Sequence, residues 1–301
     1  MRVLIAIFAL LSLAGAALAQ AEFDTKAKFA VLMDYESGTI IFQKDADAPL
    51  EPASMTKLMT LAVVFNEIRA GRVSLDDEFF VSENAWRTGG AASGGSTMFA
   101  ELNSQIRVED LVRSVIIQSG NDAAIVLAEG IAGSEATFAL MMNELANDLG
   151  LEGSNFTNST GLPDPNEYST ARDLAELGRY LIREFPEYYH YFSEPSMEWN
   201  GINQANRNSL VEMGIGVDGL KTGHTEAAGY GSVTSTDQGD RRLIAVVHGL
   251  TSMRERTEEA RSLLTWGARA FERFTPFAEG QIVAYADVYG GATPNVGLVG
   301  Q

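Results

Sequence analysis

The sequence predicts an α+β fold: a mixed but mainly antiparallel sheet flanked by helices, with a helical lobe inserted between its strands. Strand-like runs lie near both ends of the 301-residue chain, at 29–43 and again after 216, and the stretch between them carries the apolar period of helices. The sheet's edges must then come from distant parts of the chain. No internal repeat or low-complexity linker divides it.

In chain order, Arg2, an apolar run and the closing Ala17-Leu18-Ala19 make residues 1–19 a cleavable export signal, with the mature chain expected to begin near Gln20. The run sits at the short limit of a membrane-spanning helix. Phe29–Asp34 and Thr39–Gln43 flank Tyr35-Glu36-Ser37-Gly38, which reads as a hairpin. From Ser54, residues Leu58, Leu61, Ala62, Phe65 and Ile68 recur at helical spacing until Gly71 closes the helix. Residues 84–98 are rich enough in glycine and small polar residues to predict an irregular loop at the rim of a site. Leu111, Val112, Val115 and Ile116 form a helical face that stops at Ser119-Gly120, and a helix resumes over Ala123–Ile131. Further helices are expected at Glu135–Leu149 and Thr170–Glu184, the second opened by Ser169 or Thr170 as N-cap.

Strands return at Gly216–Lys221, Gly229–Thr236 and Arg242–Gly249, and an amphipathic helix covers 254–274. Beyond Thr275-Pro276, the runs Gly280–Ala284 and Asp287–Gly291 alternate like a strand pair. One main domain is therefore expected over 20–275, with 276–301 too short to be an independent β domain.

The absence of cysteine excludes a disulfide framework, a thiolate nucleophile and a cysteine-ligated zinc. Export without disulfides suits a bacterial periplasm or cell envelope. His190, His224 and His248 are scattered, with no His-Glu-x-x-His and no Gly-x-Ser-x-Gly, so a serine nucleophile here needs a base other than histidine. A net charge of −18 argues against nucleic acid or anionic lipid as the main partner. Nothing implies a metal or organic cofactor.

Three short strings carry the chemistry: Ser54-Met55-Thr56-Lys57, Ser119-Gly120-Asn121 and Lys221-Thr222-Gly223. Three residues apart on a helix, Ser54 and Lys57 share a face, and the amine can take the hydroxyl proton if it is neutral. Partial burial and a second cation, Lys221, are expected to lower its pKa. A nucleophile at a helix N-terminus also faces backbone N–H groups that stabilise an oxyanion. The middle string alone is ordinary helix-junction chemistry. At a strand end, Lys221-Thr222-Gly223 offers a charge, a hydroxyl and an open edge along which an extended substrate can pair.

With all three strings in this order, the chain resembles the low-molecular-mass penicillin-binding proteins that act as serine-type D-alanyl-D-alanine carboxypeptidases, from about residue 24 to the C-terminus. The likeness extends to Glu51-Pro52-Ala53, Ser169-Thr170-Ala171-Arg172-Asp173, Asn206-Arg207-Asn208, Val217-Asp218-Gly219-Leu220, His224-Thr225 and Leu263-Leu264-Thr265-Trp266-Gly267. It implies a β-lactamase/transpeptidase-like fold, a peptidoglycan stem peptide as substrate and β-lactam antibiotics as covalent inhibitors. By the same resemblance Ser54 is the acylated nucleophile and Lys57 its base, Ser119 relays a proton to the leaving D-alanine, and Asn121 holds Lys57 and the substrate amide. Lys221 and Thr222 meet the substrate's terminal carboxylate, with Gly223 beside them in the substrate-binding string, and the backbone N–H groups of Ser54 and His224 form the oxyanion hole, with the His224 side chain open to a purely structural role. In so acidic a chain arginines such as Arg207 and Arg256 are more often surface ion pairs than ligands, yet both fall where the family gathers positive charge around that carboxylate. Residues 276–301 resemble the opening strands of a β-rich second domain, here cut short and without the amphipathic anchor that usually follows, so membrane attachment is not expected of the chain as given.

Three rival readings use overlapping residues. A class A β-lactamase needs a loop glutamate; Glu167 stands in a plausible stretch, but the Glu-x-x-Leu-Asn context is missing and the middle string is Ser-Gly-Asn rather than Ser-Asp-Asn. A D,D-endopeptidase would use the same site on cross-linked peptides. A non-catalytic wall-binding scaffold is disfavoured because Ser54, Lys57, Ser119, Asn121 and Lys221 are all present.

Overall fold

The computed structural model describes residues 23–239, 241–271, 278, 280–291 and 293–299. The expected export signal, its junction at Gln20 and the boundary at Thr275-Pro276 lie outside the described residues. The elements run β1 (Phe29–Asp34), β2 (Ile40–Lys44), a 3-10 turn (Ala53–Thr56), α1 (Lys57–Arg69), β3 (Glu78–Phe80), β4 (Gln105–Arg107), α2 (Val108–Ile117), α3 (Asn121–Ala132), α4 (Glu135–Asp148), α5 (Ala171–Glu184) and α6 (Pro186–Tyr189). They continue with β5 (Ser196–Trp199), β6 (Ile202–Ala205), β7 (Val217–Thr225), β8 (Gly229–Asp237), β9 (Arg242–Leu250), α7 (Met253–Ala270), β10 (Ile282–Asp287) and β11 (Asn295–Val299).

Five strands form the central sheet in the order β2-β1-β9-β8-β7. Every neighbouring pair is antiparallel, so the expected mixed sheet is corrected to a wholly antiparallel one. Three of its four pairings are hairpins between consecutive strands, and the fourth sets β1 against β9 with Val31 opposite Val246. A hairpin can only pair antiparallel, and β1 meets β9 running the opposite way.

The strands read as continuous apolar runs because both faces are covered. Val31, Met33, Ile244 and Val246 join the core under the helical lobe, whereas Ala30, Leu32, Leu243, Ala245 and Val247 pack with Ala260, Leu263 and Leu264 of α7. The period-2 alternation thus sorts neighbouring residues into two cores. On the α7 side, the Trp266 ring lies 5.2 Å from Phe23 and 5.9 Å from Phe42, which ties the chain before β1 to the sheet.

Helix α1 is buried around its whole circumference from Lys57 to Phe65, not along one face as the spacing suggested. It is the central helix of the lobe. Two further expectations change. Residues 84–98 contain a π-helical turn at Ala85–Gly89 and a 3-10 turn at Ala91–Ser93 before the chain becomes irregular. The C-terminal hairpin pairs β10 with β11, so Val288–Gly291 belongs to the connection rather than to its second strand. The chain divides into two units between Ala268 and Arg269, and β10 and β11 belong to the second.

Leu263 is fully buried between α7 and the sheet. Leu263→Ala is expected to lower the unfolding free energy by about 2–5 kcal/mol, read from urea melts, because the rigid sheet closes only part of the cavity. A loss below about 0.5 kcal/mol would mean that α7 does not pack as described.

Candidate active site

The nucleophile string begins in the 3-10 turn that precedes α1, where Ser54 is half-buried and Met55, Thr56 and Lys57 are buried. Its N–H lies in the first turn, before any intrahelical acceptor is available. Ala53, just before it, takes a left-handed φ of +48°, a conformation that costs energy for a residue with a Cβ and is held by its surroundings. Two glycines let those surroundings come close. A Cβ on Gly161 would fall 1.9 Å from the Ala53 carbonyl oxygen, and one on Gly223 would fall 2.9 Å from the Pro52 carbonyl oxygen. The turn is therefore gripped between the 157–161 loop and β7.

Lys57 Nζ lies 3.0 Å from Ser54 Oγ and donates to Asn121 Oδ1 at 2.7 Å and to the Thr160 carbonyl at 2.5 Å. In a neutral amine those two bonds use both N–H groups, and the lone pair is left for the Ser54 hydroxyl proton. Burial pulls the Lys57 pKa down to about 7, against the opposing pull of the Glu167, Asp122 and Glu135 carboxylates. Of the two causes expected, burial is the dominant one, and the second is corrected: Lys221 is not among the groups that lower the Lys57 pKa. Lys221 is itself pushed well below the usual lysine range, first by burial and then by Lys57, Arg207 and Arg256.

Ser119 stands at the junction between α2 and α3 with a left-handed φ of +70°. Its Oγ is buried and, among the described residues, has no hydrogen-bond partner. Asn121 opens α3, and its N–H donates to the Ser96 carbonyl at 2.8 Å, joining the glycine-rich loop to the second string. Asp122 anchors the same loop by accepting from Thr97 Oγ1 at 2.6 Å, Met98 N at 2.9 Å and Ala100 N at 3.0 Å.

Lys221, Thr222 and Gly223 lie within β7, which runs on to Thr225 rather than ending at Lys221. Pairing with β8 on one side only, β7 is the sheet's edge strand. The His224 ring is exposed and stacks on Tyr230 of β8 with centroids 3.8 Å apart, so its side chain is engaged within the sheet. Arg207 and Arg256 converge: Arg256 Nη2 donates to the Arg207 carbonyl at 3.1 Å, and Arg207 Nε to the Gln118 carbonyl at 3.4 Å. Burial first, then Arg207, lowers the Arg256 pKa to about 10. Among the described residues none of Lys221, Arg207 and Arg256 has a carboxylate partner within ion-pair distance. In a chain of net charge −18, three basic side chains without such a partner, grouped around one strand, make this part of the site complementary to an anionic group.

A sequence profile of the D-alanyl-D-alanine carboxypeptidase family, the S11 peptidases, matches residues 16–252. The chain belongs to this family. Among carboxypeptidases it is 47% identical over 248 residues to D-alanyl-D-alanine carboxypeptidase DacC of Escherichia coli, covering 82% of this chain and 62% of that one. Penicillin-binding protein 5 from Haemophilus influenzae superposes with a TM-score of 0.86 at 41% identity, over 92% of this chain and 80% of that one. Penicillin-binding protein D2 from Listeria monocytogenes, solved with ampicillin bound, gives 0.72 at 27% identity, over 82% of this chain and 99% of that one. The fold is the β-lactamase/transpeptidase-like one. Against the curated relative DacC the chain spans less than two thirds of the full length.

Several polar residues of this site carry no motif. Thr160 acts through its backbone carbonyl, which no side-chain pattern reports. Glu135 and Glu167 flank the same loop; Glu135 accepts from Ser159 Oγ at 2.6 Å. The available signal was Thr157-Asn158-Ser159-Thr160-Gly161, a polar run too dense for a plain linker between helices.

If the amine sits as described, the Lys57 side chain should titrate with a midpoint near 7 instead of the ordinary 10.5 in NMR of protein labelled at lysine Cε. Lys57→Ala would remove the signal and identify it. A midpoint above 10 would take Lys57 out of any base role.

Proposed function

We propose that the chain is a serine D-alanyl-D-alanine carboxypeptidase that removes the terminal D-alanine from peptidoglycan stem peptides and is acylated by penicillins. The observation that carries this reading is the set of unpaired cations, Lys221, Arg207 and Arg256, beside a serine whose proton a buried lysine can accept. A peptide ending in a free carboxylate satisfies both.

In this reading the substrate lies along the open edge of β7 with its carboxylate toward Lys221, Thr222 and the two arginines. Ser54 Oγ attacks the penultimate carbonyl as Lys57 Nζ takes its proton, and the oxyanion meets the N–H groups of Ser54 and His224. Ser119, whose hydroxyl has no other partner among the described residues, passes a proton to the departing D-alanine nitrogen. Water then opens the ester. The β-lactamase alternative gains no support from Glu167, whose carboxylate is occupied by Thr56, Thr157 and Asn158. The proposal places the catalytic domain over 20–275 and the enzyme in the periplasm or cell envelope, supported by the leader at 1–19.

The direct test is release of D-alanine from a diacyl peptide ending in D-Ala-D-Ala. Amidating the terminal carboxylate should cost on the order of a hundredfold or more in rate, because buried cations are left without a partner. Equal turnover of both peptides would favour an endopeptidase.

A fluorescent penicillin should label the wild type covalently and leave Ser54→Ala unlabelled. Intact-mass spectrometry should find the penicilloyl adduct persisting for minutes, on the order of a rate-limiting deacylation barrier near 20 kcal/mol. Rapid multiple turnover without an adduct would mark a β-lactamase instead.

A further inference from the structure

We propose that Glu167 is a positioning residue for acylation: it clamps the Ser54–Lys57 turn to the loop that holds the Lys57 amine and keeps a negative charge within reach of that amine. The inference deepens the carboxypeptidase reading and rests on it.

Glu167 is only 6% exposed. One carboxylate oxygen accepts from Thr56 Oγ1 at 2.5 Å, and Thr56 stands between Ser54 and Lys57 in the turn. The other accepts from Thr157 Oγ1 at 2.8 Å and Asn158 Nδ2 at 2.7 Å. Asn158 Oδ1 in turn accepts from Thr160 Oγ1 at 2.6 Å, Thr160 N at 3.0 Å and Gly161 N at 2.8 Å, closing the loop whose Thr160 carbonyl receives Lys57 Nζ. Glu167 therefore holds both the turn that carries the amine and, through Asn158, the carbonyl that orients it.

Both carboxylate oxygens accept from protein donors. A glutamine of the same shape keeps both arms by turning its NH2 group to Thr56 Oγ1, a hydroxyl that can also accept, so Glu167→Gln removes the charge and leaves the clamp. Only 6% exposed and engaged by Thr56, Thr157 and Asn158, the carboxylate acts here by holding these groups, a role distinct from water activation by a lactamase glutamate.

The charge has a second effect. The groups that bear on Lys57 are the Glu167, Asp122 and Glu135 carboxylates, while Lys221, Arg207 and Arg256 form the cationic side of the site. Glu167 leads the three carboxylates in favouring the protonated amine. Burial raises the carboxyl pKa of Glu167 itself, against the hydrogen bonds from Thr56 and Thr157 and the charge of Lys57. Removing its charge must make Lys57 easier to deprotonate, so the pH below which acylation fails should fall.

The test measures the rate of covalent labelling by a fluorescent penicillin between about pH 5 and 9, with a thermal melt for each variant. For Glu167→Gln we expect a plateau within about threefold of wild type and an acid limb moved to lower pH by roughly half to one unit. Thr56→Val, which removes one arm of the clamp, should lower the plateau about tenfold or more without moving the limb, and Thr56→Ser should recover most of the rate. A folded Glu167→Gln whose limb stays in place, or moves to higher pH, overturns the proposal. Should that variant not fold, the Thr56 pair decides: a Thr56→Val plateau equal to that of Thr56→Ser overturns the clamp. Wild-type protein that takes no label, or takes it away from Ser54, sinks the carboxypeptidase reading and the inference with it; normal wild-type labelling with an unmoved limb sinks the inference alone.

Discussion

A fully buried lysine amine organises this molecule. Lys57 begins a helix that is otherwise buried among apolar neighbours, and an ammonium or amine in such a place is tolerable only if every polar contact is supplied by the protein. Those contacts come from three separate segments: the turn before the helix, the start of α3 and the loop after α4. Each segment must arrive within bonding distance for the lobe to close. Folding of the helical lobe and assembly of the site are consequently one event, and the depressed proton affinity of the amine is a by-product of the burial that makes α1 the lobe's central helix.

The sheet supplies the opposing wall. Its strands are apolar on both faces, which pins their register from two sides, since a one-residue slip would exchange the residues of the two cores. That rigidity passes to β7, and Gly223 lets β7 approach the nucleophile turn. The cations then sit where the substrate strand would end. Distances that matter to the chemistry are thus set by a packed sheet and a packed helix, with loops contributing chiefly carbonyls and anchoring carboxylates.

Much of this was legible in the sequence, for reasons particular residues make plain. The hairpin at Phe29–Lys44, the α2–α3 junction at Ser119-Gly120 and the Thr170 N-cap rest on local signals and appear where expected. The uniformly antiparallel sheet was not legible because the pairing of β1 with β9 spans some two hundred residues that leave no mark in either strand. Spacing along α1 indicated one buried face, yet the helix is enclosed on all sides by segments that converge only in three dimensions. The same gap hid Thr56, Glu135 and Thr160: their polarity is visible, but their partners lie at sequence separations that no local pattern encodes. Arg207 and Arg256 could be read from the sequence either as ion pairs or as ligands; among the described residues no carboxylate lies within ion-pair distance of either, which favours the second reading.

An edge strand that must stay open for a guest also invites the wrong guest. Two copies of the protein, each presenting β7, could in principle zip together backbone to backbone, the usual hazard of an exposed sheet edge. Such pairing would set Lys221 of one copy against the same strand of the other, with Arg207 and Arg256 close by on each, and like charges brought together in this way oppose it. In the proposed reading, the charge that receives a small anion also counts against pairing with a second copy of the strand.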